Sequence, residues 1–300
     1  MKKNDKEKFL SGFIAIVGPP NVGKSTLLNR LLGRKVAIVS PKPQTTRNRV
    51  LGVYHEKGCQ MVFLDTPGIH RTRTPLHKSM VASAQAALVE VDLVTMMIDM
   101  TRPDDPEATR ILRDLKRVGN PAILAINKID RGSPERLLPI METFSRLHDF
   151  KAIVPISALK GEGIREFLAE LRARLTPGPP FFPESMTTDQ TEPFLVSEFI
   201  REKVYLFTRK ELPYSAAVTV EGIEEAKGRT LMRIHAKIHV ESESQKAILI
   251  GKGGNMIKAI GQSARKEIER VFGVKVYLDL MVRVEKNWSK DPKALRKLGY

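Results

Sequence analysis

The segment Gly18-Pro19-Pro20-Asn21-Val22-Gly23-Lys24-Ser25 has the residue types and spacing of a phosphate-binding loop. It follows the apolar run 13–17 and precedes a helical pattern over 25–32, and this strand, loop, helix order is the context that the chemistry requires. Loop N–H groups and the helix N-terminus can surround a phosphate, and Lys24 adds a point charge. The Ser25 hydroxyl can ligate Mg²⁺ and Thr26 follows it, so both are predicted to lie at the nucleotide.

A second group of residues has the chemistry to recognise a purine base. Asn127-Lys128-Ile129-Asp130 follows the apolar run 122–126, at the carboxyl end of a predicted strand. A carboxylate from Asp130 can accept hydrogen bonds from both N1–H and the N2 amino group of guanine, and adenine lacks that pair of donors. Ser157 and Ala158, after the run 153–156, are predicted to present a backbone amide to the guanine oxygen. The predicted ligand is GTP or GDP.

A third group can complete a magnesium site. Asp65-Thr66-Pro67-Gly68 closes the apolar run 60–64, which predicts Asp65 as a carboxylate for Mg²⁺ and Gly68 as an amide donor to the γ-phosphate. Thr46 lies between the loop and Asp65 and can supply a further hydroxyl when the third phosphate is present. Ser25, Thr46 and Asp65 are therefore the predicted metal residues.

Together, and in this order, these motifs resemble the translation-factor class of small GTPases over residues 12–175. The resemblance implies GTP hydrolysis, with Lys24 and Thr46 as catalytic residues. Ile69 stands where Ras-type members have a glutamine that orients water, so hydrolysis is expected to be slow unless stimulated. Asn21 resembles the asparagine of potassium-activated relatives, and we hypothesise that it assists catalysis through a K⁺ ion near the β- and γ-phosphates.

The elements that position these residues follow an α/β pattern. Apolar runs alternate with amphipathic segments such as 107–118 and 164–175, which predicts a P-loop GTPase domain with a mostly parallel sheet over residues 1–176. Four prolines after Thr176 predict a linker over residues 177–191. Beyond it the pattern predicts a smaller α+β domain over 192–300, with a basic C-terminal tail. Its expected elements are a helix at 192–206, strands at 215–220 and 231–240, a helix pair within 245–271 and a strand at 275–284.

The smaller domain contains Gly251-Lys252-Gly253-Gly254 between its two helix candidates. It resembles a type II KH domain, in which such a loop lets a nucleic-acid backbone approach closely beside a groove for unpaired bases. A second nucleotide loop is the alternative, but the segment lacks the GK[ST] ending. The predicted RNA-binding residues are this loop with Ile250, Ile257, Lys258 and Arg265, and Met256 and Ile260 are further candidates for the groove wall or for the core.

Composition limits the partners. The 300 residues carry 50 Lys and Arg against 34 Asp and Glu, a net charge of +16 that favours a polyanion but does not choose between nucleic acid and an anionic membrane. Cys59 is the single cysteine, which fits a reducing compartment. The chain has no apolar stretch of about 18 residues, so none is predicted to span a bilayer.

The whole sequence resembles the bacterial KH-domain GTPases of small-ribosomal-subunit assembly, including the segments 43–47, 211–215 and 287–300. The resemblance implies binding of single-stranded RNA near the 3′ end of 16S rRNA, action on the 30S subunit, and a cytoplasmic location with peripheral association with the inner membrane. A monomer is expected. Two alternatives remain: an RNA-binding chaperone with a structural nucleotide domain of negligible turnover, and a membrane-surface GTPase.

Overall fold

The computed structural model describes residues 8–43, 45–67, 75–225 and 230–300. They pack into two compact units. The first contains residues 8–36, 46–67 and 80–189. The second contains residues 190–300 of the described chain together with two earlier segments, 37–45 and 75–79.

The first unit is an α/β layer structure around one mostly parallel sheet, as the sequence predicts. The strands lie in the order β2-β3-β1-β4-β5-β6, with β2 antiparallel to β3 and the short β7 antiparallel to the start of β1. The central strands are buried along their whole length because helices cover both faces, and this explains their continuous apolar runs. The elements are β1 (Leu10–Val17), α1 (Lys24–Leu32), β2 (Val50–Glu56), β3 (Cys59–Asp65), α2 (Pro75–Val89), β4 (Leu93–Asp99), α3 (Pro106–Val118), β5 (Ala122–Asn127), α4 (Leu137–Leu147), β6 (Ala152–Pro155), α5 (Ile164–Arg172) and β7 (Thr176–Pro177).

Local sequence sets the ends of these helices. In α3, Asp105 accepts a hydrogen bond from the amide of Glu107, Pro106 occupies the first turn, and Gly119 ends the helix in a left-handed conformation. The carboxyl ends of the parallel strands β1, β3, β4, β5 and β6 share one edge of the sheet, where the predicted site residues follow them.

The second unit has the helix and strand order of a type II KH domain. It consists of α6 (Glu192–Phe207), β8 (Ala217–Glu225), β9 (Leu231–Val240), α7 (Glu243–Ile250), α8 (Asn255–Phe272), β10 (Lys275–Val284) and the short α9 (Pro292–Lys297). Strand β9 is central, antiparallel to β8 and parallel to β10. Trp288 is fully buried here and donates its indole N–H to the carbonyl of Ser215 at 2.9 Å.

The proline-rich segment after β7 lies on the first unit, although the sequence predicts a linker there. Thr187 accepts a hydrogen bond from the amide of Val53 at 2.9 Å, and the hydroxyl of Thr188 donates to the carbonyl of Leu51 at 2.6 Å. Gln60 accepts from the amide of Phe181 at 2.7 Å. Backbone groups of β2 and the Gln60 side chain of β3 thus bind this segment, and it covers the edge strand β2 through residue 188.

No helix in the described parts of the chain is long and apolar enough to cross a membrane. Cys59 is a buried free thiol at the start of β3.

Candidate nucleotide site and nucleic-acid interface

The phosphate loop lies between β1 and α1 and requires glycine at two positions. A Cβ on Gly18 would come within 2.6 Å of the carbonyl oxygen of Met97. Gly23 has φ +105°, and a Cβ there would come within 2.3 Å of the side-chain amide nitrogen of Asn127. Only glycine gives this backbone path without strain, so the pattern reflects packing as well as ligand approach.

Lys24 is held above the loop by loop carbonyls. Its Nζ donates to the carbonyls of Gly18 at 2.9 Å and Pro19 at 3.0 Å, and the residue is 6% exposed. Burial lowers the pKa of Lys24 to about 8, although the charge of Asp65 opposes this effect. A buried ammonium whose hydrogen bonds go to neutral carbonyls favours an anion nearby, and a phosphate supplies that charge.

Three side-chain oxygens meet at the predicted magnesium position. The Ser25 hydroxyl donates to Asp65 Oδ2 at 2.6 Å and lies 3.0 Å from the Thr46 hydroxyl oxygen. Asp65 Oδ1 is buried and makes no hydrogen bond within the described residues. Burial raises the pKa of Asp65 to about 6, although the Ser25 hydroxyl and the Lys24 ammonium oppose this. A hard-oxygen cluster with an unsatisfied carboxylate oxygen fits Mg²⁺.

The rest of that segment is described only in part. Thr66 is buried and its hydroxyl donates to the carbonyl of Ile16 at 2.9 Å, which ties the end of β3 to β1. Pro67 follows it and is also buried. Gly68 and Ile69, predicted at the γ-phosphate, lie outside the described residues.

The base-reading residues form a linked set at the ends of β5 and β6. Asn127 donates to the carbonyl of Val22 at 2.7 Å and accepts from the amide of Ala158 at 2.9 Å, so it joins the phosphate loop to the segment after β6. The Ser157 hydroxyl donates to Asp130 at 2.6 Å. This bond orients the exposed carboxylate of Asp130, which is free to accept from a base, while Ile129 lies beside it in a short 3₁₀ turn.

One functional residue, Asp99, is absent from the sequence predictions. Its carboxylate lies 2.7 Å from Lys128 Nζ, which also donates to the carbonyl of Asn21 at 2.8 Å. Burial opposes ionisation, but hydrogen bonds from Lys128 and Thr101 lower the pKa of Asp99 below its ordinary value. Asp99 thus holds the Lys128 side chain against the phosphate loop, where it donates to the Asn21 carbonyl. Its position at the carboxyl end of β4, on the same sheet edge, is a signal that could have found it.

The second unit presents the predicted glycine loop between α7 and α8. Gly251, Gly253 and Gly254 all have positive φ, at 72°, 60° and 79°, and a Cβ on Gly251 would come within 2.8 Å of Met256 Cβ. Lys252 and Gly253 are exposed. The loop therefore offers an open backbone and one cation to a polyanion.

The residues around the loop divide into surface and core. Lys258 and Arg265 are exposed on α8, and Ile250 and Ile257 are half-buried, with Ile257 packed partly against the core. Ile260 is 0% exposed in the core of the second unit, so of its two predicted alternatives, groove wall or core, it takes the core. It faces the core because α8 buries one side against β10 and α6. Met256 packs partly against the same core.

Two family models match the chain. Residues 13–128 match a family described as 50S ribosome-binding GTPase, and residues 211–289 match the KH domain family. A curated relative, the GTPase Era of Syntrophus aciditrophicus, is 49% identical over 292 residues, covering 97% of this chain and 95% of the relative. The chain belongs to the Era family of GTPases. The Era GTPase of Geotalea uraniireducens is 46% identical and is covered over 99% of its length.

Solved Era structures have the same fold. A variant Era of Aquifex aeolicus bound to GDP.AlF4- has 43% sequence identity and a TM-score of 0.94, covering 97% of this chain and 99% of that chain. Era in complex with MgGDPNP and nucleotides 1506–1542 of 16S ribosomal RNA has 42% identity, the same TM-score and the same coverage. These comparisons confirm the predicted fold class, and as an Era family member the chain is a GTPase with a KH domain.

Proposed function

We propose that this Era family member is a GTP-hydrolysing switch that binds single-stranded 16S rRNA near its 3′ end and acts in assembly of the 30S subunit. The observation that carries the proposal is the pairing, in one chain, of a guanine-nucleotide site with a KH loop. Ser25, Thr46 and Asp65 form the oxygen cluster of that site. Similar Era structures contain MgGDPNP with 16S rRNA nucleotides and GDP.AlF4-, which supports both halves of the proposal.

The nucleotide site has a distinct task for each group. Lys24 and the loop amides bind the outer phosphates, and Asp130 selects guanine. Ser25, Thr46 and Asp65 would hold Mg²⁺, which when bound neutralises phosphate charge during transfer. Thr46 completes the site only when the third phosphate is present, and this is what makes the residue a sensor of GTP against GDP.

Slow hydrolysis is part of the proposal. Ile69 has no group that could orient the attacking water, so the charge in the transition state needs another source. Asn21, which has φ 62° in the phosphate loop, would shape a K⁺ site near the phosphates. Turnover is expected to be faster in KCl than in NaCl at equal ionic strength, and equal turnover would contradict a role for K⁺.

The alternative function is an RNA-binding chaperone with a structural, slowly hydrolysing nucleotide domain, and Ile69 is what favours it. Partners and location are proposed with the function: the 30S subunit, a monomeric state, and a cytoplasmic protein with peripheral contact with the inner membrane. The net charge of +16 supports an anionic partner.

The deciding experiment measures affinity for a short single-stranded RNA copying the 3′ end of 16S rRNA. It is done with GDP and with a non-hydrolysable GTP analogue at one fixed salt concentration. Tighter binding with the analogue is expected for a switch. Equal affinity in both states would favour the chaperone. Exchange of Lys252 and Gly253 for Asp should abolish RNA binding and leave GDP binding unchanged.

A further inference from the structure

Helix α6 buries an unusual number of charged side chains. Glu198, Arg201, Glu202 and Lys203 are 9%, 1%, 2% and 6% exposed. Charges are rarely buried in this way because each loses its hydration, and a stable fold would be reached as easily with apolar residues. The four charges therefore call for a role beyond stability.

Two of these charges bind the segment 37–45, which belongs to the second unit. Arg201 Nη2 donates to the carbonyl of Thr45 at 2.6 Å, and Glu202 accepts from the amide of Val39 at 2.9 Å. From the segment itself, the ammonium of Lys42 donates to the carbonyls of Tyr205 and Thr208 at the end of α6. Hydrogen bonds at Val39, Lys42 and Thr45 thus hold the segment against α6.

Arg201 is itself held in place. Its Nε and Nη2 donate to the carboxylate of Glu198, at 2.7 and 2.6 Å, and its guanidinium lies over the ring of Tyr205 at 5.4 Å. Lys203 joins Glu202 at 2.6 Å to Glu267 of α8 at 3.4 Å. The charged side chains of α6 are thus held in fixed positions by one another and by α8 within the second unit.

The hydrogen bond from Arg201 to the Thr45 carbonyl bears on the backbone orientation at Thr46. The carbonyl of Thr45 and the amide of Thr46 belong to one planar peptide group. By binding the carbonyl, Arg201 fixes the orientation of that peptide group. The Thr45 hydroxyl also donates to the carbonyl of Lys42 at 2.9 Å, which leaves little freedom before Thr46. One residue later, the Thr46 hydroxyl lies 3.0 Å from Ser25 in the predicted magnesium site.

We propose that Glu198 and Arg201 are a positioning pair, which holds the Thr45–Thr46 peptide so that the Thr46 hydroxyl reaches the magnesium site when GTP is bound. The inference rests on the proposed function. Lys42 supports the same geometry from the other side of the segment. The pair lies on α6, outside the GTPase motifs, so it sets a condition on GTP binding that those motifs do not contain.

The test uses variants of the full chain. The double substitution Glu198→Leu with Arg201→Leu removes the pair without leaving a buried charge unpaired, so the fold is expected to tolerate it. Lys42→Met is a second, milder variant if the double variant fails to fold. The matched control is Lys237→Met, since Lys237 is also a half-buried lysine of the second unit but pairs with Glu221 across β8 and β9.

Three quantities are measured. They are the Mg²⁺ concentration that gives half-maximal binding of a GTP analogue, the Mg²⁺ concentration that gives half-maximal binding of GDP, and kcat for GTP hydrolysis. For the double variant we expect the Mg²⁺ requirement with the analogue to rise and kcat to fall, each about tenfold, as loss of one charged hydrogen bond produces. Lys42→Met should give a smaller change in the same direction. Binding of GDP should stay within about twofold, because Thr46 acts only with the third phosphate.

The two proposals fail in different ways. Folded variants with the Mg²⁺ requirement and nucleotide preference of the unsubstituted protein would overturn the positioning role. A Lys237→Met variant that reproduced the same shift would overturn it too, since the effect would then be a general one of the second unit. Absence of GTP hydrolysis in the unsubstituted protein would instead remove the proposed function, while the binding measurements would still test the pair.

Discussion

Gly23 and Gly33 flank α1, and both have a positive φ, yet they differ in what surrounds them. A Cβ on Gly23 would meet Asn127, whereas nothing lies within 4 Å of a Cβ on Gly33. Gly23→Ala should therefore displace Asn127 and weaken GDP binding by at least about tenfold, or ~1.4 kcal/mol. Gly33→Ala, the control, should cost about 1–2 kcal/mol of stability for its left-handed backbone and leave affinity unchanged. Fluorescent-GDP titration distinguishes them, and equal affinities would contradict this role of Gly23.

Asp130 is the residue on which base selection depends. Its exposed carboxylate is oriented by Ser157, so the change Asp130→Asn should lower GDP affinity about 10–100-fold through loss of charged hydrogen bonds to guanine. Xanthosine diphosphate should bind the variant better than GDP does, since its 2-oxo group can accept from the new amide. Asp149→Asn, which changes an exposed carboxylate paired with Lys151, is the control. Unchanged GDP affinity in Asp130→Asn would refute the assignment.

Spacing alone predicted where most of the candidate site residues lie. Gly18 follows the end of β1, Lys24 begins α1, and Asn127 ends β5, at the edge where an α/β sheet places its ligand. Asp99 was not predicted because a single acidic residue at a strand end belongs to no sequence motif. Its role is apparent only from its ion pair with Lys128. Ile260 was ambiguous for a different reason: one apolar helix position fits a groove wall and a core equally well.

At the scale of elements, β8, β9 and β10 enclose a buried histidine. His239 Nε2 lies 2.8 Å from the hydroxyl of Thr219, and its Nδ1 lies 3.3 Å from Glu285, while Arg283 and Lys237 are nearby cations. Burial lowers the pKa of His239 below 6.5, although Glu285 opposes this. The folded state therefore binds fewer protons than the unfolded state below about pH 6.5, and stability falls as the pH falls through that range.

Replacement of this histidine should flatten that pH dependence. Between pH 7 and pH 5, His239→Gln is expected to lose less stability than the unsubstituted protein. Urea unfolding followed by fluorescence measures this for the second unit, because Trp288 is the single tryptophan and is buried there. The idea fails if both proteins lose the same stability over this interval.

Elements with a clear period were predictable from sequence, and those shaped by long-range packing were not. The buried strands β3, β4 and β5 are continuous apolar runs, and β9 and β10 match their predicted limits. Strand β2 was missed because Gly52 interrupts its pattern. A Cβ there would come within 2.7 Å of Leu28 and Leu32 of α1, so the glycine serves helix packing. Helix α4 contains Pro139 in its first turn, where proline is tolerated, and the sequence pattern does not distinguish this position from a helix-breaking interior one.

At the scale of the molecule, the charge excess makes RNA affinity depend on salt. Lys258 is exposed on α8 beside the glycine loop, so Lys258→Ala should remove one phosphate contact. The slope of log affinity against log salt concentration should become shallower by about 0.7, the value for one contact on a single strand. Lys116→Ala, an exposed lysine of α3 in the first unit, should keep the original slope. An unchanged slope for Lys258→Ala would mean that α8 does not contact the RNA backbone.

The packing of the segment 37–45 in the second unit could not be predicted from the sequence. Thr45 and Arg201 are 156 positions apart, and no local period or motif predicts that a loop of the first half packs in the second unit. The proline-rich segment is the converse case, since its composition indicates a linker but its carbonyls and hydroxyls bind β2. Long-range pairings of this kind are set by the folded molecule as a whole.

The discontinuous second unit also affects the order in which a newly made chain can fold. Synthesis runs from the N-terminus, so residues 37–45 leave the ribosome about 150 residues before α6 exists to receive them. At roughly 5–20 residues per second, the delay is on the order of ten seconds or more. Ile38, buried in the finished protein, is without its final neighbours for that time. With Arg201 in its proposed positioning role, the Thr46 hydroxyl would reach the magnesium site only after synthesis has passed α6.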